Sequence, residues 1–419
     1  MTDATETDLD RPAPPGRRLS RPEFVGMTAL LFAIVAFSID SMLPALPDMA
    51  AELTPDDPNR AQLILTAFVF GMGLGTFAAG PLSDALGRKA IINGGIALYI
   101  VGALLASVAT SLETLLAARV LQGLGAAGPR IAILAMVRDL YGGRRMAQIM
   151  SFVMMVFILI PAAAPSVGVL ITDGFGWRAL FIAYCIFAVV ASSWFNLRQP
   201  ETLPPGRRRP VRIGTMRSAL KEVFSQRVVV IYLAVLTLGF GQMFALLSSI
   251  AQIYVTGYDM EASFPVWFLI GGLLSGVGTV SNAGLVMRLG MRRIAIFAYA
   301  MLSLASLALL ALEWTGVVGE LPPFGLFFAW QVIVLAAAGL TFGNLNALAL
   351  EPLGHIAGLA SSVIGAVSTV LAVAIAAPIG LMFDGTPTPL LWGVLVCSVL
   401  AFVLMRASVR IDPERSGAD

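Results

Sequence analysis

The chain has 419 residues, of which 58% are hydrophobic and 12% charged, with a mean hydropathy of +0.86. That charged fraction is about half of what an ordinary soluble domain carries, so the composition indicates a polytopic membrane protein and leaves soluble-enzyme readings far behind. A single histidine, His355, and two cysteines inside apolar runs, Cys185 and Cys397, exclude a histidine-based metal cluster and a disulfide framework; no metal or cofactor is expected.

Residues 1–23 are polar and proline-rich and form an expected cytoplasmic tail. The first long apolar stretch, Phe24–Pro47, follows. It is too long for a signal-peptide core, and no small-residue cleavage site closes it, so it is expected to remain as the first span. It carries a carboxylate, Asp40, inside it and ends on Pro44 and Pro47. A carboxylate on a spanning helix costs about 2.5–3.5 kcal/mol on insertion scales, which predicts that Asp40 faces a partner or a wet cavity.

Stretches long enough to span, about 20 residues each, recur twelve times. In the first half they cover 24–46, 61–82, 90–109, 112–137, 148–171 and 178–197. In the second they cover 228–250, 264–286, 293–312, 324–349, 356–381 and 388–408. With both termini inside, 23 of the 27 basic residues fall in inner loops and tails. The outer loops instead carry Asp48, Glu52, Asp56, Asp57, Asp173, Asp259 and Glu261, and this bias predicts an N-in, C-in topology. Arginine outnumbers lysine 25 to 2, which fits a GC-rich bacterial genome and hence a bacterial inner membrane.

The expected organisation is therefore a tail (1–23), a six-helix half (24–197), a cytoplasmic linker (198–227), a second six-helix half (228–408) and a second tail (409–419). The linker has the pattern of a short amphipathic helix near Met216–Phe224, suited to lying on the membrane surface. The halves echo each other. GPLSDALGRK (80–89) aligns with AGLVMRLGMRR (283–293), pairing Gly87 with Gly290, Leu82 with Leu285 and Lys89 with Arg292. The AAP sequence around Pro165 echoes the one around Pro378. Repeats of this size are a signature of transporters, whose substrate sites lie between the halves.

The fourth span is the most charged. Arg119 and Arg130 are 11 residues apart, about three turns, and project from nearly one face, with Gln122 beside Arg119. At 1.5 Å per residue Arg119 lies roughly 10 Å below the outer surface and Asp40 roughly 6 Å, so the two share a depth and are expected to pair. Arg130 comes out near the inner interface, where snorkelling to the headgroups is an equal expectation. In the loop 80–89, Gly80 and Gly87 permit close packing and a tight reversal, Arg88 and Lys89 hold the inner surface, and Asp84 is placed to latch a neighbouring helix N-terminus. The polar residues within second-half spans are Gln242, Ser248, Ser249, Asn282, Gln331, Asn344 and Asn346. Helix-to-helix hydrogen bonds explain such residues at least as well as ligand contacts. Phe240, Phe244, Phe268 and Trp330 fit either an aromatic wall or ordinary packing.

GPLSDALGRK resembles the loop between spans two and three of the major facilitator superfamily. RVLQG (119–123) resembles the span-four motif of its drug–proton antiporters, and PAAAPSVG (161–168) their span-five motif. FSIDSMLPALP (37–47) is similar to the first span of the bicyclomycin/chloramphenicol-resistance branch. The resemblance implies an all-α membrane protein of twelve helices in two pseudo-repeat halves. It further implies Asp40 as proton or cation site with Arg119 and Gln122 beside it, and a gating loop of Gly80, Asp84, Gly87, Arg88 and Lys89 that engages the start of span eleven near Gly358. Pro161, Pro165 and Gly168 would shape a bend between the halves. The chain departs from the pattern at Ala164, Val169 and Met287. The function expected is export of small amphipathic compounds in exchange for protons; alternatives are a proton-coupled sugar or metabolite transporter and a membrane sensor or assembly factor. The expected partners are a small-molecule substrate, protons and lipid, acting on a monomer. No enzyme site, nucleotide-binding loop for ATP or nucleic-acid partner is indicated.

Overall fold

A computed structural model describes residues 19–141, 143–211, 213–315 and 321–411; the tails 1–18 and 412–419 lie outside it. Twelve helices of 20 residues or more are described: α1 (Arg21–Asp40), α3 (Leu63–Leu86), α4 (Arg88–Ser107), α5 (Leu112–Leu140), α6 (Gly143–Phe175), α7 (Arg178–Arg198), α9 (Arg227–Gln252), α10 (Phe264–Leu289), α11 (Met291–Trp314), α12 (Phe324–Leu350), α13 (Ala357–Leu381) and α14 (Thr388–Ile411). Two short helices, α2 (Leu46–Leu53) and α8 (Ile213–Ser225), complete the set. Ten continuous stretches are long and apolar enough to cross a membrane; one, Phe324–Leu381, comprises both α12 and α13, and α6 adds the apolar segment Ala163–Phe175. The predicted spans match these helices closely because lipid demands helices whose backbone groups are satisfied internally.

Helices α1 and α3–α7 pack on one another, as do α9–α14, and the two groups meet along two seams, α3 on α13 and α6 on α10. Within the first group α5 lies between α3 and α4, held by small residues where lipid offers no hydrophobic drive. A Cβ at Gly123 would collide with Phe68 O of α3, and one at Gly71 with Val120 O of α5, so backbone touches backbone there. Along the first seam α3 and α13 run antiparallel in one register: Gly73 meets Val370, Thr76 meets Gly365 and Gly80 meets Ser362.

The loop repeat seen in the sequence is a repeat of geometry. Gly87 (φ 105°) ends α3 and starts α4, and Gly290 (φ 79°) does the same between α10 and α11. Side-chain-bearing residues avoid that left-handed region, so both positions require glycine.

The linker helix departs from expectation. Its apolar face lies on α13 and α9, with Ala219 2% and Val223 0% exposed, and Glu222 meets His355 Nε2 at 2.7 Å. Protein, rather than lipid surface, covers it.

At the outer end an amide clasp joins the two groups. Asn59 Nδ2 donates to Leu381 O (3.2 Å) and Phe383 O (2.6 Å), and Gln62 Nε2 to Gln252 Oε1 (2.7 Å). Gln252 Nε2 donates to Asn59 Oδ1 (3.0 Å), and Ser249 Oγ to Gln62 Oε1 (2.9 Å). Gly380 makes room for it, because a Cβ there would strike Gln62 Oε1.

Candidate functional site

Helix α1 stops at Asp40 for a local reason. Pro44 has no N–H to offer, and its ring clashes with a helical carbonyl four residues back, which is that of Asp40. Helical bonding ends with the Ser41 N–H on Phe37 O (3.2 Å). The chain turns and resumes through the 3-10 segment Leu43–Ala45 into α2. Gly168 of α6 packs straight onto this break, where a Cβ would strike Ser41 O. The motif glycine therefore serves contact between α6 and α1 inside one group of helices, rather than a bend between groups. Pro161 and Pro165 both lie inside α6, and Pro165 is buried.

The break leaves Ser38 O without its helical donor, and Arg119 takes that place. Arg119 is 0% exposed. Its Nη2 donates to Ser38 O (3.2 Å), Nε to Ile64 O (3.3 Å) and Nη1 to Gln122 Oε1 (2.6 Å). Its guanidinium lies 4.4 Å from the Phe68 ring centroid and 5.9 Å from that of Phe181. Carbonyl dipoles and π-faces thus solvate a charge that no carboxylate neutralises among the described residues. Two hydroxyl pairs tie the same stretch of α1 to its neighbours: Ser38 Oγ with Tyr99 OH of α4 (2.5 Å), and Ser41 Oγ with Tyr184 OH of α7 (3.0 Å).

The expected Asp40–Arg119 pair is not formed. Arg119 does reach the level of Asp40, as the depth estimate required. But Ser38, two residues earlier, faces α4 and α5, and two residues turn an α-helix by about 200°, so Asp40 projects away from them. Its side chain is buried, with the residue 5% exposed, and among the described residues no donor reaches the carboxyl group.

The loop expected to gate, Gly80–Lys89, carries a closed charge network. Arg88, 5% exposed, donates through Nη1 to Asp84 Oδ1 (2.5 Å) and Ser83 Oγ (3.1 Å), and through Nε to Asp139 Oδ2 (2.8 Å) at the end of α5. Lys89 Nζ caps the end of α7 on Asn196 O and Gln199 O, 3.0 Å each. Glu201 accepts the N–H groups of Arg88 and Lys89, also at 3.0 Å, and so caps the start of α4. The expected latch of Asp84 on a neighbouring helix N-terminus is absent among the described residues: its side chain pairs with Arg88, and its carbonyl accepts the Arg209 N–H of the linker (2.9 Å). Gly80 makes the contact with α13 instead, at Ser362, while nothing lies within 4 Å of a Cβ built on Gly358.

The sequence model of the Major Facilitator Superfamily matches residues 28–378, most of the chain. The chain belongs to the major facilitator superfamily. It is 28% identical over 395 residues to the bicyclomycin resistance protein homolog of Haemophilus influenzae, covering 91% of this chain and 96% of that one. It is 31% identical over 356 residues to YdgK of Bacillus subtilis, an uncharacterized MFS-type transporter, covering 83% and 85%. Among solved structures, the xylose transporter XylE of E. coli, in a partially occluded inward open conformation, superposes with a TM-score of 0.73 at 12% identity, covering 92% of this chain and 97% of that one. That likeness shows the shared fold.

In this superfamily member the second-half polar residues divide into two kinds. Asn344 Nδ2 donates to Asn282 Oδ1 (2.8 Å) across α10 and α12, and Asn346 Nδ2 returns to Phe342 O of its own helix (2.9 Å). Gln331 Oε1 accepts Tyr254 OH (2.8 Å), but its Nε2 is buried without a partner, as is Gln242 Oε1. The aromatic residues pack: Phe240 lies 4.4 Å from Phe342 between centroids, and Trp330 Nε1 donates to Ser306 Oγ (2.9 Å). Sequence reasoning missed Tyr99, Tyr184, Glu201 and the Asn59–Gln62–Gln252 clasp. Only Glu201 left a readable signal, as an acid in a linker otherwise dominated by arginine.

Proposed function

We propose that this chain exports small amphipathic, drug-like compounds in exchange for protons, with Asp40 as the residue that takes and gives the proton. The observation that carries the reading is the buried Asp40 carboxyl at the α1 break, which no guanidinium or amide occupies. Arg119 and Gln122 act beside it as a fixed unit that fastens α1, α3 and α5 together. The bicyclomycin-resistance name of a relative aligned over nearly its whole length supports a drug-like cargo.

Alternating access on this frame is a rocking of the two helix groups about the α3–α13 and α6–α10 seams. The outer amide clasp holds the outer ends together in the conformation described. Opening outward breaks it and exposes Asp40 to the proton-rich side; closing again and opening inward lets the proton leave as substrate enters. The Gly80–Lys89 loop braces the inner end of the first half. The arginine-rich loops support a reading in which both termini lie in the cytoplasm and the chain in the bacterial inner membrane, one chain supplying both halves without ATP.

The test uses a pump-deficient host to find a compound that the chain exports, then inverted membrane vesicles. Asp40→Asn is expected to abolish substrate-driven proton movement while leaving the amount of inserted protein unchanged. Undiminished coupled transport by that variant would remove Asp40 from the role.

A further inference from the structure

Among the described residues of the first half, three acidic or basic side chains lie within the depth of the membrane: Asp40, Arg119 and Arg130. Arg119 has its bonding satisfied, and Asp40 has the role just described. Arg130 is left over. Its Nη1 lies 4.0 Å from Met72 Sδ of α3, and among the described residues its guanidinium meets neither a carboxylate nor a carbonyl.

Met72 tells where Arg130 points. On α3, Leu74 is 45% exposed on the lipid side, and Met72, two residues away and about 200° around, is 4% exposed on the opposite side. That side lies between the glycines facing α5 (Gly71, Gly75) and those facing α13 (Gly73, Gly80). Arg130 therefore points inward, toward the second half, and is part-buried there. Snorkelling does not explain it. Asp139, at the inner charge network, is nine residues further along α5, about 13 Å, beyond the reach of an arginine side chain. Nor do the described residues of the second half hold a counterion: the described acids there, Asp259, Glu261, Glu313, Glu351 and Asp384, all lie at helix ends or in loops.

Among the described residues the interior thus holds two guanidinium groups against one carboxyl, and the five N–H donors of Arg130 meet only the weakly accepting sulfur of Met72. We infer that Arg130 is a substrate-recognition residue that receives an anionic group, a carboxylate or comparable oxyanion, of the compound carried. Arg130 is 11 residues, about 16 Å, along α5 from Arg119, which marks the level of Asp40. Cargo recognition and proton exchange are then separate in depth, Arg130 choosing the compound and Asp40 coupling it. The inference rests on the transport reading and deepens it by naming the substrate class.

The test measures equilibrium binding of dansylglycine and of its uncharged amide to the detergent-solubilised full chain, followed by dansyl fluorescence. The acid is expected to bind about tenfold more tightly than the amide, as one charge-assisted bidentate contact allows. Arg130→Gln is expected to erase the preference and Arg130→Lys to keep part of it, with thermal unfolding reporting that each variant is folded. Asp40→Asn is expected to keep the preference, so loss of proton coupling and loss of anion recognition are read separately. A wild-type chain that binds the acid no better than the amide, or a preference that survives Arg130→Gln, overturns the assignment.

Discussion

The two halves share a backbone plan and differ in what they bury. Both turn from one helix to the next through a positive-φ glycine, Gly87 or Gly290, with a basic residue tucked in behind it. In the first half Arg88 sits among Asp84, Asp139 and the Glu201 cap; in the second, Met287 stands 86% exposed where the repeat would bring an acid. Inside the membrane the contrast repeats: Asp40, Arg119 and Arg130 on one side, uncharged amides on the other. A shared fold therefore does not require shared chemistry. Glycines and apolar surface make the frame, while charge is concentrated in the half proposed to exchange protons.

The contrast is open to direct attack, first where the most bonding is at stake. Arg119→Met leaves Ser38 O, Ile64 O and Gln122 Oε1 without their donor. Because it breaks a buried charged network, it is expected to cost about 3–5 kcal/mol, read as a fall in thermal unfolding temperature in detergent. If the neutral half is as tolerant as its chemistry implies, Gln331→Leu, which removes one bond from Tyr254 OH, costs about 1 kcal/mol in the same assay. Equal losses would mean that charge is not what separates the halves.

A smaller effect belongs to the loops. Glu201→Gln keeps an acceptor at the start of α4 but removes the charge there. The expected cost is about 0.5–1 kcal/mol, shrinking as salt is raised, because the helix-terminus term is screened. An unchanged unfolding temperature at low salt would show that the linker does not brace the first-half loop. Smallest of all, Asn344→Leu removes one interhelical amide pair in the second half and is expected to cost about 0.6 kcal/mol. A loss of several kcal/mol would make the Asn282–Asn344 contact a structural keystone and undo the description of that half as weakly bonded inside.

Much of this protein could be read in one dimension. Twelve apolar stretches became twelve helices, because in lipid the backbone has few other ways to satisfy itself. Pro44 dictated that α1 break at Asp40, a purely local effect of a missing N–H and a ring too close to a carbonyl. The matched loops foretold the two positive-φ glycines. Depth was legible too, since rise per residue is constant: Arg119 does lie at the level of Asp40.

Azimuth was not. Which way Asp40 and Arg119 point depends on how α1, α4 and α5 are rotated against one another, and that is set by glycine contacts spread over several helices, such as Gly71 on Val120 and Gly123 on Phe68. The same packing decided between the two expectations for Arg130 by turning its guanidinium toward the second half, and brought Asn59, Gln62, Ser249 and Gln252 together from segments almost two hundred residues apart. Sequence by itself determined the helices, their breaks and the levels of their charges, because each follows from bonding within one segment. Only the tertiary structure decided which charges are satisfied and which stand free, because a side chain's partner is chosen by the rotation of helices that no single segment specifies.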